Sequence, residues 1–154
     1  MSVHEVGDEA PDFSLPDQNN HPWTLSEHRG GNVVLVFYPL SFSGICTSEL
    51  HELTETGEKF AAAGAEVVGI SIDSSYVQHA FKKHEELAAT LLADFQPRGA
   101  VADKYGVYLG DLGIANLGTF VIDKNGKIAH TVVTSIGEAR DTAEYLAALE
   151  NCPA

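Results

Sequence analysis

Gly31-Asn32-Val33-Val34-Leu35-Val36-Phe37-Tyr38 is a β-branched and aromatic run closed by Pro39. A run without polar alternation reads as a strand buried on both faces, the kind found in the middle of a parallel sheet. Downstream, Ile45, Leu50, Leu53, Phe60 and Ala63 fit a helical stripe better than an alternation, so a helix is expected over residues 45–63, with Gly64 as its stop. Residues 65–72 then read as a second strand. Asp73-Ser74-Ser75 follows as a cap, and a further helix runs through Tyr76, Ala80 and His84. Strand, helix, strand, helix predicts parallel neighbours joined by right-handed crossovers, and a sheet with helices on both faces.

Outward from this centre, residues 91–94 are a short strand candidate and 99–105 a short helix candidate. Residues 118–123 and 128–133 flank Lys124-Asn125-Gly126-Lys127, whose Asn-Gly pair predicts an antiparallel hairpin. A last helix is expected over 138–149, with Ala139, Ala143, Leu146 and Leu149 on its buried side. Pro11-Asp12-Phe13-Ser14-Leu15-Pro16-Asp17 and Trp23-Thr24-Leu25 read as a small leading hairpin. With no linker, repeat or low-complexity tract, residues 1–154 are expected to form one domain.

The 22 acidic against 9 basic residues give a formal charge of -13, which repels nucleic acid and anionic lipid and serves either solubility or adaptation to high salt. No apolar run approaches the ~20 residues of a membrane span, and the first residues do not resemble a secretory signal, so a cytoplasmic location is expected. The seven histidines form no ligand pair of zinc spacing, so no metal site is expected.

Only Cys46 and Cys152 are cysteines, and an isolated cysteine is either a small buried hydrophobe or a reactive thiol. Context favours the second reading for Cys46. Strand, short turn and helix place it at a helix start, where partial positive charge and unpaired amides favour a thiolate and lower the pKa from ~8.5 to ~7.5 or less. Pro39 ends the strand and Gly44 lets the backbone turn closely. Ser43 brings a hydroxyl that is either a plain helix cap or a donor and acceptor facing the same pocket.

Pro39-x-x-x-Ser43-x-x-Cys46 resembles the active-site signature of the peroxiredoxins. Gly7-Asp8-Glu9-Ala10-Pro11-Asp12-Phe13, Leu91-Leu92-Ala93-Asp94-Phe95, Tyr105-Gly106-Val107 and Gly118-Thr119-Phe120-Val121-Ile122-Asp123 are similar to that family too, so the resemblance covers nearly the whole chain. Phe42-Ser43-Gly44-Ile45-Cys46 and Gly113-Ile114-Ala115-Asn116 look most like its short alkyl hydroperoxide reductase E type. The resemblance implies an α/β, thioredoxin-like fold with a central mixed sheet flanked by helices on both faces, a homodimer, and no metal or organic cofactor. It implies a thiol-dependent peroxidase: the Cys46 thiolate attacks a hydroperoxide and becomes a sulfenic acid, Ser43 and backbone amides hold the oxygens, and Pro39 shields the sulfur. An external thiol of thioredoxin, mycoredoxin or low-molecular-weight type would then reduce it. Glu49 falls where the family has an acidic helix residue near the site, or is simply a first-turn helix charge.

Two positions depart from the family pattern. The arginine that usually precedes Gly-Thr-Phe is Leu117, which removes hydrogen bonds worth on the order of 1.5–3 kcal/mol each. Arg98 is the candidate substitute, Arg29 preceding the first central strand and Arg140 lying on the last helix. Cys152-Pro153 resembles the setting of resolving cysteines, and a loosened C-terminus can bring Cys152 within the ~7 Å a disulfide requires. His51 occupies the place where another peroxiredoxin class has its resolving cysteine, which excludes that arrangement. The alternative to the enzyme is a peroxide-sensing redox module with low turnover, signalling through Cys46 oxidation.

Overall fold

Residues 4–134, 142–150 and 152 are described by a computed structural model of the chain, apart from the side chains of Ile45 and Cys46. Strand β1 (Ser14–Pro16) pairs with β2 (Pro22–Thr24) as the leading hairpin. The central elements follow as β3 (Asn32–Phe37), α1 (Gly44–Glu55), α2 (Gly57–Ala62), β4 (Ala65–Ser71), α3 (Ser75–Glu85), β5 (Thr90–Ala93) and α4 (Ala100–Lys104). A two-residue pair, β6 (Tyr108–Leu109) and β7 (Ile114–Ala115), precedes β8 (Leu117–Ile122), β9 (Ile128–Thr134) and α5 (Thr142–Glu150).

The main sheet has the order β5-β4-β3-β8-β9. β3 is parallel to β4 and antiparallel to β8, so the sheet is mixed and β3 lies at its centre, as expected. Alternation then divides the core in two, because successive side chains of a strand point to opposite faces. Val33, Leu35 and Phe37 join Trp23, Tyr105 and Phe120 beneath the leading hairpin and α4. Val34, Val36 and Tyr38 join Leu50, Phe60, Phe81 and Tyr145, which come from α1, α2, α3 and α5. Among the described residues, helices therefore cover both faces, α1, α2, α3 and α5 on one and α4 on the other.

Two expectations need correction. The helix over residues 45–63 is two helices, divided at Thr56, whose backbone leaves helical geometry at φ -97° and ψ 9°. The Thr54 and Thr56 hydroxyls donate back to the Leu50 and Glu52 carbonyls at 3.0 and 2.8 Å, a competition that bends helices, and Gly57 follows with little helical preference of its own. In α5 the buried face is Thr142, Tyr145 and Leu149, whereas Ala143 is exposed. Polar anchors select that face: Thr142 Oγ1 donates to Glu52 Oε1 at 2.6 Å, and Thr119 Oγ1 donates to the Tyr145 hydroxyl at 2.9 Å. The expected start of this helix, with Glu138, Ala139 and Arg140, lies outside the described residues.

Candidate active site

Pro39 is buried directly after β3, where the chain leaves the carboxyl edge of the sheet and turns into α1. Ser43 occupies the N-cap position, with extended φ -85° and ψ 149°. Its hydroxyl neither caps the helix nor stands free. It donates to the Leu40 carbonyl at 2.5 Å, and the Ser43 amide donates to the same oxygen at 3.4 Å. The Ser43 carbonyl receives both the Thr47 amide at 3.0 Å and the Thr47 hydroxyl at 2.6 Å. The amides of residues 44–46 thus precede the first intrahelical bond, and Cys46 is the third residue of α1. The Cys46 side chain lies outside the described residues.

Phe42 has φ +69°, a conformation that side-chain-bearing residues hold only where their surroundings enforce it. Its ring packs 4.8 Å from Phe81 and 5.8 Å from His84, both on α3. On its other side, Ser41 is held twice. The Ser41 amide donates to Asp73 Oδ2 at 2.8 Å, and its hydroxyl donates to Gln78 Oε1 at 2.6 Å. Gln78 Oε1 also accepts from the Tyr38 hydroxyl at 3.0 Å, while Gln78 Nε2 donates to Ser71 Oγ at 3.0 Å and to the Leu92 carbonyl at 2.8 Å. Burial pushes the Tyr38 hydroxyl up to about 12, so it remains a neutral donor. This network was not foreseen. Its one signal in the sequence is Ser71, a lone hydroxyl at the end of an apolar strand.

The other candidate residues are more dispersed. Glu49 is buried on the second turn of α1, not a solvated first-turn charge, because its face of the helix carries Leu50 and Leu53 inward. Leu117 opens β8 and lies in the apolar cluster with Val36, Tyr38 and Leu50. Arg98 is exposed in the loop after β5, and a Cβ on Gly113 would stand 3.0 Å from its guanidinium nitrogen, so it packs over the β6–β7 turn. His51 is a surface residue of α1, joined to Glu85 at 2.8 Å.

Cys152 sits elsewhere. Its amide donates to the Leu149 carbonyl at 3.1 Å, its thiol lies 3.6 Å from the Ala148 carbonyl, and burial followed by the Asp123 charge pushes the thiol up. Asp123 follows Ile122, which pairs with Val33 at the amino end of β3, whereas α1 begins beyond the carboxyl end. Six residues of strand separate these ends by roughly 20 Å.

Residues 6–131 match the AhpC/TSA family. The chain belongs to that family. It is 41% identical to alkyl hydroperoxide reductase E of Mycobacterium tuberculosis over 145 residues, covering 94% of this chain and 95% of the relative. It is 34% identical to peroxiredoxin-2 of Mus musculus over 152 residues, covering 92% and 76%. The crystal structure of peroxidoxin BcpB from Mycobacterium tuberculosis superposes with a TM-score of 0.86 at 33% identity, covering 97% of this chain and 99% of that one. The fold is thioredoxin-like, and the peroxiredoxin described here is a thiol-dependent peroxidase, an oxidoreductase.

Proposed function

We propose that Cys46 is the peroxide-reacting thiol of this peroxidase. The observation that carries the reading is its place as third residue of α1, after a buried Pro39 and an N-cap Ser43 whose hydroxyl is already committed. The thiolate attacks the terminal oxygen of a hydroperoxide. The O–O bond breaks, the departing alkoxide or hydroxide takes a proton to leave as alcohol or water, and sulfur becomes a sulfenic acid. Amides at the start of α1 stabilise the charge that develops on the departing oxygen. Ser43, its proton given to Leu40, accepts a hydrogen bond from the peroxide O–H. One external thiol then condenses with the sulfenic acid to a mixed disulfide with loss of water, and a second thiol releases Cys46 and an external disulfide.

This reading is of one catalytic cysteine, since Cys152 lies a strand's length away and its pKa is raised. Leu117 brings no charge to the peroxide, which makes a modest rate constant the expectation. Cys46→Ser tests the assignment: peroxide consumption with a dithiol donor should disappear while the melting curve is retained, and persistent turnover would refute it.

A cytoplasmic homodimer of single-domain chains is the accompanying proposal. Among the described residues no helix is long and apolar enough to cross a membrane. Exposed Leu40, Phe42, Tyr76 and Phe95 all follow the carboxyl ends of the three parallel strands and offer apolar surface to a second copy. Sedimentation of the wild type and of Phe95→Asp checks the dimer, which the charge should weaken.

A further inference from the structure

Gln78 is wholly buried on the inner face of α3, three residues before Phe81, where an aliphatic residue would be expected. A primary amide is tolerated there only if its donors and acceptor are satisfied. They are: two hydroxyls reach Oε1, and Nε2 reaches Ser71 Oγ and the Leu92 carbonyl. These four partners come from the end of β3, the loop before α1, β4 and β5. Four directional bonds at one point fix a single arrangement of these segments, which an apolar side chain of equal volume would not do.

The bonds lead to the reaction site. Each hydroxyl of the Tyr38, Ser41 and Gln78 triangle has one proton, and the short 2.6 Å contact takes that of Ser41. With its amide on Asp73 and its hydroxyl on Gln78, Ser41 cannot rotate. It therefore anchors the turn in which Phe42 holds φ +69°, Leu40 offers its carbonyl to Ser43, and Ser43 starts α1. We propose that Gln78 is a positioning residue for peroxide reduction, acting through Ser41 to set the Leu40–Ser43 turn and hence the first turn of α1. The proposal rests on Cys46 being the reacting thiol.

Gln78→Met, Ser41→Ala and the double variant test it by three readouts: the second-order rate constant with hydrogen peroxide, the pH profile of Cys46 alkylation, and the melting temperature. Gln78→Met should lower the rate constant about ten- to hundredfold, as small misplacements of reacting groups do, and displace the alkylation profile to higher pH. In Gln78→Met the Ser41 and Tyr38 hydroxyls can still bond to each other, whereas the double variant leaves the buried Tyr38 hydroxyl without either partner, so its melting temperature should fall further while its rate constant stays close to that of Gln78→Met. Should Gln78→Met fail to fold, Ser41→Ala alone must lower the rate constant and move the profile. A rate constant within about twofold of wild type with an unmoved profile, or single-variant rate losses that multiply in the double variant, overturns the proposal. Loss of the underlying reading looks different, because turnover would then survive Cys46→Ser.

Discussion

His51 on α1 and Glu85 on α3 meet at 2.8 Å, and the other Glu85 oxygen accepts from His84 Nδ1 at 2.6 Å. The helix that carries Cys46 is thereby tied to its neighbour at the surface. Hydrogen bonds from His51 and then His84 hold the Glu85 carboxyl below its ordinary 4.5. A depressed carboxyl stabilises the fold above the ordinary value, and that contribution drains away as pH falls through the depressed one. Glu85→Gln should melt below wild type at neutral pH, with the gap closing below about pH 4.5. Thermal melts across that range check it, and a gap unchanged at the acid end would contradict the assignment.

Leu117 tests what stability and catalysis each draw from one position. Its side chain is almost wholly buried among apolar residues, so Leu117→Ala should cost about 2–5 kcal/mol in urea unfolding. The peroxide rate constant of the folded variant should stay within about threefold of wild type, since no polar group has been withdrawn from the reacting oxygens.

Cys152 should be the slower thiol. Burial and the Asp123 charge disfavour its thiolate, so under native conditions iodoacetamide should modify it more slowly than a free cysteine, and the difference should vanish in denaturant. Mass spectrometry after peroxide treatment should find oxygen or the added thiol on Cys46. A Cys46–Cys152 link in the native protein would overturn the one-cysteine reading.

The centre of the sheet was legible because Val33 to Tyr38 bury alternately on both faces, and only a central strand needs such a run. Pro39, Ser43 and Cys46 were legible as a motif because their spacing is local. The break at Thr56 was not, because hydroxyl back-bonding is a local competition that apolar periodicity does not register. Tyr145 displaced Ala143 from the buried face of α5 through a partner, Thr119, that lies 26 residues away. Gln78 was the least legible of all. A glutamine in a helix ordinarily faces water, and its burial here follows from partners in four separate segments.

Ser43 gives its only proton to Leu40, so a guest lacking an O–H meets a lone pair without a complement. Halide, sulfate and dialkyl peroxides are such guests, whereas hydrogen peroxide and alkyl hydroperoxides carry the proton required. With Ser43 in the proposed peroxide-binding role, one serine sorts ligands by whether they bring hydrogen.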